Sequence, residues 1–436
     1  MLITAGGLLG NALASGLTSC KPAAQNQVAP EEQPQAKGSP IASAPSQKAE
    51  PTLLSIGANY SIKDGGLWCY PWGLIDTTGK VVVEPVSGMS IGFSDGLGEI
   101  LYDGKYGFID RSGHIVIEAE WEAVDTFTEG LASFRRNGKW GFMNKTGRVV
   151  IEPTFEFAER FSEGLSRFGL GDKWGFIDKT GRVVIQPDWN SAWSFKGGLA
   201  WVEKDDKWGA IDRTGHIVIP LRWDYDSTFS EGLTRLKQKG KAGFVDQTGR
   251  VVIEPQFADA ENFSEGLAAV QQNKKWGFID KTGRVVIPPE WAGVQAFKEG
   301  LAAVHRDQKF GFIDTTGRAV VEPHWMEADS FSQGLASVTD QNGKSGYIDK
   351  AGHVVIELQW DAALPFNGVA EVKRQGKWGL IDKTGHIVIE PKWDVRPRHG
   401  ADEGTPGYWL VGRQEGGKVI AVWFDSKGKE IWSSER

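Results

Sequence analysis

The sequence predicts an all-β protein made of tandem three-stranded β-meanders, each about 34 residues long. Three observations lead there. Trp-Gly or an equivalent pair ends at Gly73, Gly107, Gly141, Gly175, Gly209, Gly243, Gly277, Gly311, Gly346 and Gly379, a spacing of 34 seven times, then 35, then 33. Glycine supplies 56 of 436 residues, nearly twice the usual ~7%. Nineteen Trp stand beside seven His, four Met and two Cys. Glycine serves turns and Trp serves cores or binding faces, so the pair describes a turn-rich, aromatic-cored β protein. The remaining composition excludes other classes. A net charge of −7 argues against a nucleic-acid partner, which would face a basic surface. Two Cys cannot build a disulfide framework or a multi-Cys zinc site. No cofactor is expected.

Taken in order, residues 1–19 are uncharged and mostly apolar or small. That run is short for a membrane span and suits a secretory signal peptide. It ends in Leu17-Thr18-Ser19-Cys20, which resembles the lipobox of bacterial lipoproteins, although no Lys or Arg precedes the apolar run. The resemblance implies cleavage before Cys20 and lipid attachment to it, hence a membrane partner through the anchor. The next residue is Lys21, where Asp would resemble an inner-membrane retention signal, so a Gram-negative host implies the outer membrane. If the lipobox is not used, the protein is secreted or periplasmic. Residues 20–52 follow as a tether: positions 21–52 hold six Pro, seven Ala and five Gln and no aromatic residue. Such a stretch cannot bury enough apolar surface to offset its ordering entropy.

Residues 53–400 carry ten repeats, and 401–436 hold a degenerate hairpin that reads as a cap. Within the repeats, Asp lies three residues after the Gly in nine of ten units, with Asn144 in the other. A second Gly lies six after in all ten, Trp or Phe fourteen after in nine, and Phe twenty after in nine. Eight units have a third Gly, usually inside Ser-Glu-Gly-Leu. Lys275–Asp280 alternates and is rich in β-formers, so it reads as a strand. Asp280-Lys281-Thr282-Gly283 is a hairpin turn with a bulge, its Gly at positive φ. Arg284–Ile287 returns as a β-branched strand, and Leu267–Gln271 precedes as a third. The connector, Ala258–Phe263 in this unit, has at most one short helical turn. One meander exposes too much apolar surface to stand alone, so neighbours must stack. The Trp of Trp-Gly is expected to pack over or near a Gly of its own or the adjacent unit.

The fullest copy, Lys275-Trp276-Gly277-Phe278-Ile279-Asp280-Lys281-Thr282-Gly283-Arg284-Val285-Val286-Ile287, resembles the WG-repeat (KWG) family of bacterial proteins. The repeat positions that carry it include Trp72, Gly73, Trp140, Gly141, Trp174, Gly175, Trp208, Gly209, Trp276, Gly277, Trp378 and Gly379. Ala242, Phe310 and Ser345 depart from the signature, and Tyr106 does so more mildly. The family implies a module and no defined reaction. Ten units of 34 residues exceed the usual ~4–8 blades of a β-propeller, so an open hairpin solenoid with terminal caps is favoured, with a β-propeller as the alternative.

No catalytic or metal constellation emerges. His114, His216, His353 and His386 share one position after the turn Gly, and the recurrent Asp does turn chemistry. Cys69 reads as a small buried hydrophobe. The expectation is a non-catalytic cell-envelope module that binds or scaffolds an envelope protein. A glycan or cell-wall binding module is the alternative, because Trp faces stack on sugars; an enzyme is the least favoured. Trp193 and Trp201 break the repeat pattern and are the candidate ligand-facing residues. Recurring Glu (Glu129, Glu163, Glu231, Glu265, Glu299) and Lys (Lys139, Lys173, Lys207, Lys275, Lys377) could form charge rows or simply solvated faces.

Overall fold

The computed structural model describes residues 52–63, 66–86, 93–224, 228–399 and 407–435; for 57–59, 63, 66–72 and 84–86 it describes the backbone alone. The segments expected to be a signal peptide and a tether, with Cys20, lie outside these residues except for Thr52. The described residues form eleven small antiparallel sheets and no helix. Every sheet is built from strands consecutive in the chain.

The seventh sheet shows the unit: a short leading strand Asp259–Ala260, then Leu267–Gln272, Lys275–Asp280 and Val285–Trp291. The expected meander is present, but the connector adds a fourth strand instead of a helical turn. Asp259 and Ala260 pair with Gln271 and Val270. Nine of the eleven sheets have four strands. The first, Leu53–Lys63, Gly66–Asp76 and Val81–Val86, has three. The sixth also has three, and the residues equivalent to its leading strand fall at 225–227, outside the described set.

The turn chemistry is as the sequence predicts. Gly283 N donates to Asp280 O at 2.9 Å, Asp280 N donates to Arg284 O at 3.0 Å, and Gly283 sits at φ +86°. The role of the Trp-Gly glycine differs from expectation. Between the Phe278↔Ile287 and Trp276↔Trp291 pairs the register slips, so the fourth strand bulges across Gly277. A Cβ there would lie 2.4 Å from Ile287 O and 2.6 Å from Pro289 N. The close neighbour is backbone, not an indole ring.

Sheets pack face to face, each burying its apolar side on the next. Between the second and third sheets, Leu97, Phe108, Ile117 and Trp121 meet Phe127, Ala132, Phe134 and Met143. The Phe twenty residues after Gly is the plug: Phe127 packs edge-on against Phe108, with centroids 4.8 Å apart, and the same pairing recurs at Phe278–Phe297. Trp121 packs on Phe134 of the following sheet at 4.3 Å.

The array closes on itself. The last sheet, Val395–His399, Tyr408–Glu415, Lys418–Asp425 and Glu430–Ser433, packs against the first. Leu54, Ile56 and Ile75 are buried with Val395, Ala421, Trp423 and Ile431, and Trp423 Nε1 donates to Ser55 O at 2.7 Å. The first sheet also packs on the second through Leu53, Leu74, Ile100 and Ile109. Of the two expected architectures the propeller-like ring is therefore the one found, and the favoured open solenoid is not. The reason is physical: an open array needs polar outer faces on its end units, whereas here both end faces are apolar and bury each other. The terminal segment expected as a cap is the eleventh sheet, and it begins at Val395, ahead of the anticipated boundary at 401.

Candidate functional site

The signature residues serve the frame. Trp140, Trp174, Trp208, Trp276 and Trp378 are half-buried, while Gly141, Gly175, Gly209, Gly277 and Gly379 are buried under the bulge of the fourth strand. Gly73 is buried in the first sheet; the side chains of Trp72 and Cys69 are not described. The Trp or Phe fourteen residues after Gly forms the deeper core, with Trp223 fully buried and Trp360 and Trp393 at 1% exposure. Several of these indoles are roofed by cations, with Arg136 4.3 Å from Trp121, Arg306 4.4 Å from Trp291 and Arg374 4.1 Å from Trp360. They are not open stacking platforms.

The turn residues also behave as frame. Asp280 Oδ1 accepts from Thr282 N at 2.9 Å, Thr282 Oγ1 at 2.6 Å and Arg284 N at 3.1 Å. The Thr282 hydroxyl, helped by these amides and Arg284, holds its carboxyl down at about 2. His114 and His216 stand exposed beside the equivalent Asp110 and Asp212. Among the described residues no three His, Cys, Asp or Glu side chains converge to hold a metal.

The recurring Glu residues form a ladder between sheets. Glu129 accepts from Gly164 N at 3.0 Å and pairs with Lys179 at 3.0 Å, both one sheet on. Glu231 repeats this with Gly266 and Lys281, and Glu299 with Gly334 and Lys350. Partial burial pushes the Glu129 carboxyl up, but the Lys179 hydrogen bond and charge and the Gly164 amide hold it below the usual range. The adjacent Ser joins in: Ser162 Oγ donates to Phe195 O at 2.7 Å and Ser264 Oγ to Phe297 O at 2.8 Å. The Ser-Glu-Gly-Leu motif thus tethers each sheet to the next. The cations that meet these Glu residues come from the hairpin turns; Lys139, Lys207 and Lys377 instead pair with Glu156, Asp224 and Asp394.

Against this constant frame, two facing repeat positions vary widely in chemistry, one in the connector and one on the second strand. They place Asp125 beside Ser133, Glu159 beside Arg167, Trp193 beside Trp201, Gln295 beside Ala303 and Asp329 beside Ser337. Trp193 N donates to Trp201 O at 2.9 Å, so the structure brings the two sequence candidates together. Trp193 is 53% exposed. Trp201 is half-buried and stacks on Phe229 of the next unit at 6.2 Å and 22°. Arg167, paired with Glu159, donates to Ala192 O directly before Trp193. The result is an aromatic patch bordered by a cation. In the second sheet, burial and the charge of Asp125 push the Glu99 carboxyl up to about 7.

Sequence reasoning missed one feature. A cavity of about 600 Å³ opens between the ninth and tenth sheets, lined by residues 326–329 and 361–364, which include the leading strands Glu327–Ala328 and Ala362–Ala363, and by Ser337, Thr339, Asp340, Gln341, Gly343 and Ser345. Ser345 occupies the position of the signature Trp, and the turn beside it carries the one-residue insertion. Both breaks fall in one unit, which was the available signal.

Eleven sheets of repeated sequence, packed in a ring with a common frame and variable positions side by side, define a propeller-like repeat protein. The model for the WG-containing repeat matches ten consecutive stretches, 72–106, 106–140, 140–174, 174–208, 208–241, 243–276, 276–309, 310–344, 346–378 and 378–395. The chain belongs to the family of WG-containing repeat proteins. No curated protein sequence matches it. Similar solved structures include a eukaryotic initiation factor, with TM-score 0.40, 11% identity, and coverage of 69% of this chain and 94% of that one. PorZ, a surface component of the type-IX secretion system of Porphyromonas gingivalis, gives TM-score 0.24 at 10% identity, covering 78% of this chain and 60% of that one. The extracellular domain of BT4673 from B. thetaiotaomicron gives 0.25 at 10%, covering 86% and 70%.

Proposed function

We propose that this protein is a non-catalytic binding module of the cell envelope, held to the membrane through lipid on Cys20 and recognising a protein partner through its ring surface. The observation that carries this reading is the Trp193–Trp201–Phe229 patch. It spans two sheets, places an exposed indole beside a stacked one, and sits where no other described unit carries an aromatic side chain at this connector position. Exposed Trp flanked by Arg is the composition of an interface anchor. Crosslinking in intact cells with the wild type and Trp193→Ala tests it. A defined envelope protein is expected to be captured by the wild type and lost with the variant; equal capture would remove the patch from the interface.

The exposed face of Trp193 also favours a second reading, glycan binding, since indole faces stack on sugars. Titration of residues 53–436 with peptidoglycan fragments should then quench Trp fluorescence, and an unchanged spectrum would eliminate it. The anchor is tested separately: alkyne fatty-acid labelling should be lost in Cys20→Ala, and equal labelling would refute lipidation there.

A further inference from the structure

We propose that the cavity between the ninth and tenth sheets receives a Lys or Arg side chain from a basic segment of a partner protein. This deepens the reading of the ring as a protein-binding module, at a second site remote in sequence from Trp193.

The cavity has a definite origin. In the third and fourth sheets the signature indoles lie against a leading strand, from one side or the other. Trp174 packs against Phe157 of its own sheet at 5.2 Å, and Trp140 against the same Phe157 from the preceding sheet at 6.2 Å. Ser345 removes the ring from this slot. Its partner on the second strand is Thr339, also short, with the two hydroxyl oxygens 3.0 Å apart. The turn lengthened by one residue places Asp340 and Gln341 in the wall on the same side.

The molecule itself shows what fits such a slot. Ala242 is the other position where the signature ring is replaced by a small side chain. There the register partner is Lys237, and its ammonium reaches Asp259 on the leading strand of the next sheet at 2.9 Å. Arg235 joins from the same strand, 3.7 Å from Asp259 and donating to Ala260 O. That gap is met from within by cations. In the ninth sheet the positions of Arg235 and Lys237 are taken by Ser337 and Thr339, which are too short to fill it. The acceptor changes side: Ala362 stands where Asp259 meets Lys237, and it is Glu327 and Asp329, from the leading segment of the ninth sheet itself, that line the cavity and form no ion pair among the described residues, while Asp361 is already met by Lys344 at 2.7 Å. Ser337 Oγ donates to Asp329 at 2.7 Å and fixes that carboxylate at the wall. A slot that takes lysine when the chain supplies one is here left with acceptors and space.

Ser345→Trp restores the side chain most units carry, so it blocks the slot without threatening the fold; a thermal melt checks this. Thr339→Lys places an ammonium of the chain's own at the position of Lys237, within the acidic cavity. Binding of a short peptide with two lysines in a Gly-Ser background is measured by calorimetry against the same peptide with norleucine in place of lysine. The wild type should bind the lysine peptide and not the norleucine one, and each variant should bind about tenfold more weakly or worse. Equal binding by wild type and both variants would overturn the slot and assign any affinity to the net negative charge. The envelope crosslink through Trp193 is read independently, so loss of one proposal leaves the other standing.

Discussion

Single residues in this protein are constrained mostly by backbone proximity. A methyl group at Gly277 would overlap the carbonyl of Ile287 and the ring nitrogen of Pro289, neither of which can move without breaking the bulge. Gly277→Ala should therefore cost about 3 kcal/mol in chemical denaturation, while Ala at exposed Lys274 changes little. Glu99 behaves differently. Its carboxyl is raised by burial and by Asp125, so the folded state prefers the protonated form. That contribution is complete below the ordinary value of 4.5 and is lost as pH rises through about 7. Glu99→Gln should match the wild-type melting temperature in acid and exceed it above neutrality; parallel pH profiles would refute the assignment. The hairpin residues were legible from sequence, because Asp and Gly at fixed offsets have one local use. The Trp-Gly glycine was legible as a close approach, but not what approached it. The opposing atoms belong to residues ten to twelve positions on and depend on the bulge.

At the scale of one element, the third–fourth strand hairpin is the most self-contained part of each sheet. The Asp carboxylate caps it with three hydrogen bonds, and Asn144 makes the same three to Thr146 and Arg148 in the one unit that lacks Asp. Asp280→Asn keeps these three bonds and loses only the ionic part, so at pH 7 it should cost less than Asp280→Ala, which should cost about 1 kcal/mol. The Asp280 carboxyl is depressed, so its ionic contribution is present above 3.8 and fades as pH falls through about 2. Acid melts should show the wild type converging on Asp280→Asn there. The leading strand was not legible. Two residues carry no alternation, and Asp259–Ala260 pair only because the second strand offers a free edge.

For the molecule as a whole, closure is the property the sequence concealed. Ser55 and Trp423 are 368 residues apart, and no local pattern announces their contact. The cavity was hidden for a related reason: Ser345 reads as one more departure until its missing ring is seen as a missing wall between sheets. Trp423 is nearly fully buried at the junction of the last and first sheets. Trp423→Ala should lower stability by about 3–5 kcal/mol. Removing residues 400–436 should expose Leu54, Ile56 and Ile75 and produce concentration-dependent association in sedimentation. A monomeric, equally stable truncated chain would show that the junction contributes nothing.

Closure also constrains how this gene can change. In an open array a unit can be duplicated or lost with little consequence, because only neighbours touch. Here the first and last sheets meet through matched apolar surfaces, so an added or deleted unit must alter the angle between every pair of sheets or leave the two ends unmet. Copy number is therefore quantised by geometry. Lineages of this ring should vary by substitution within units, as at Ala242 and Ser345, more readily than by gain or loss of whole ones.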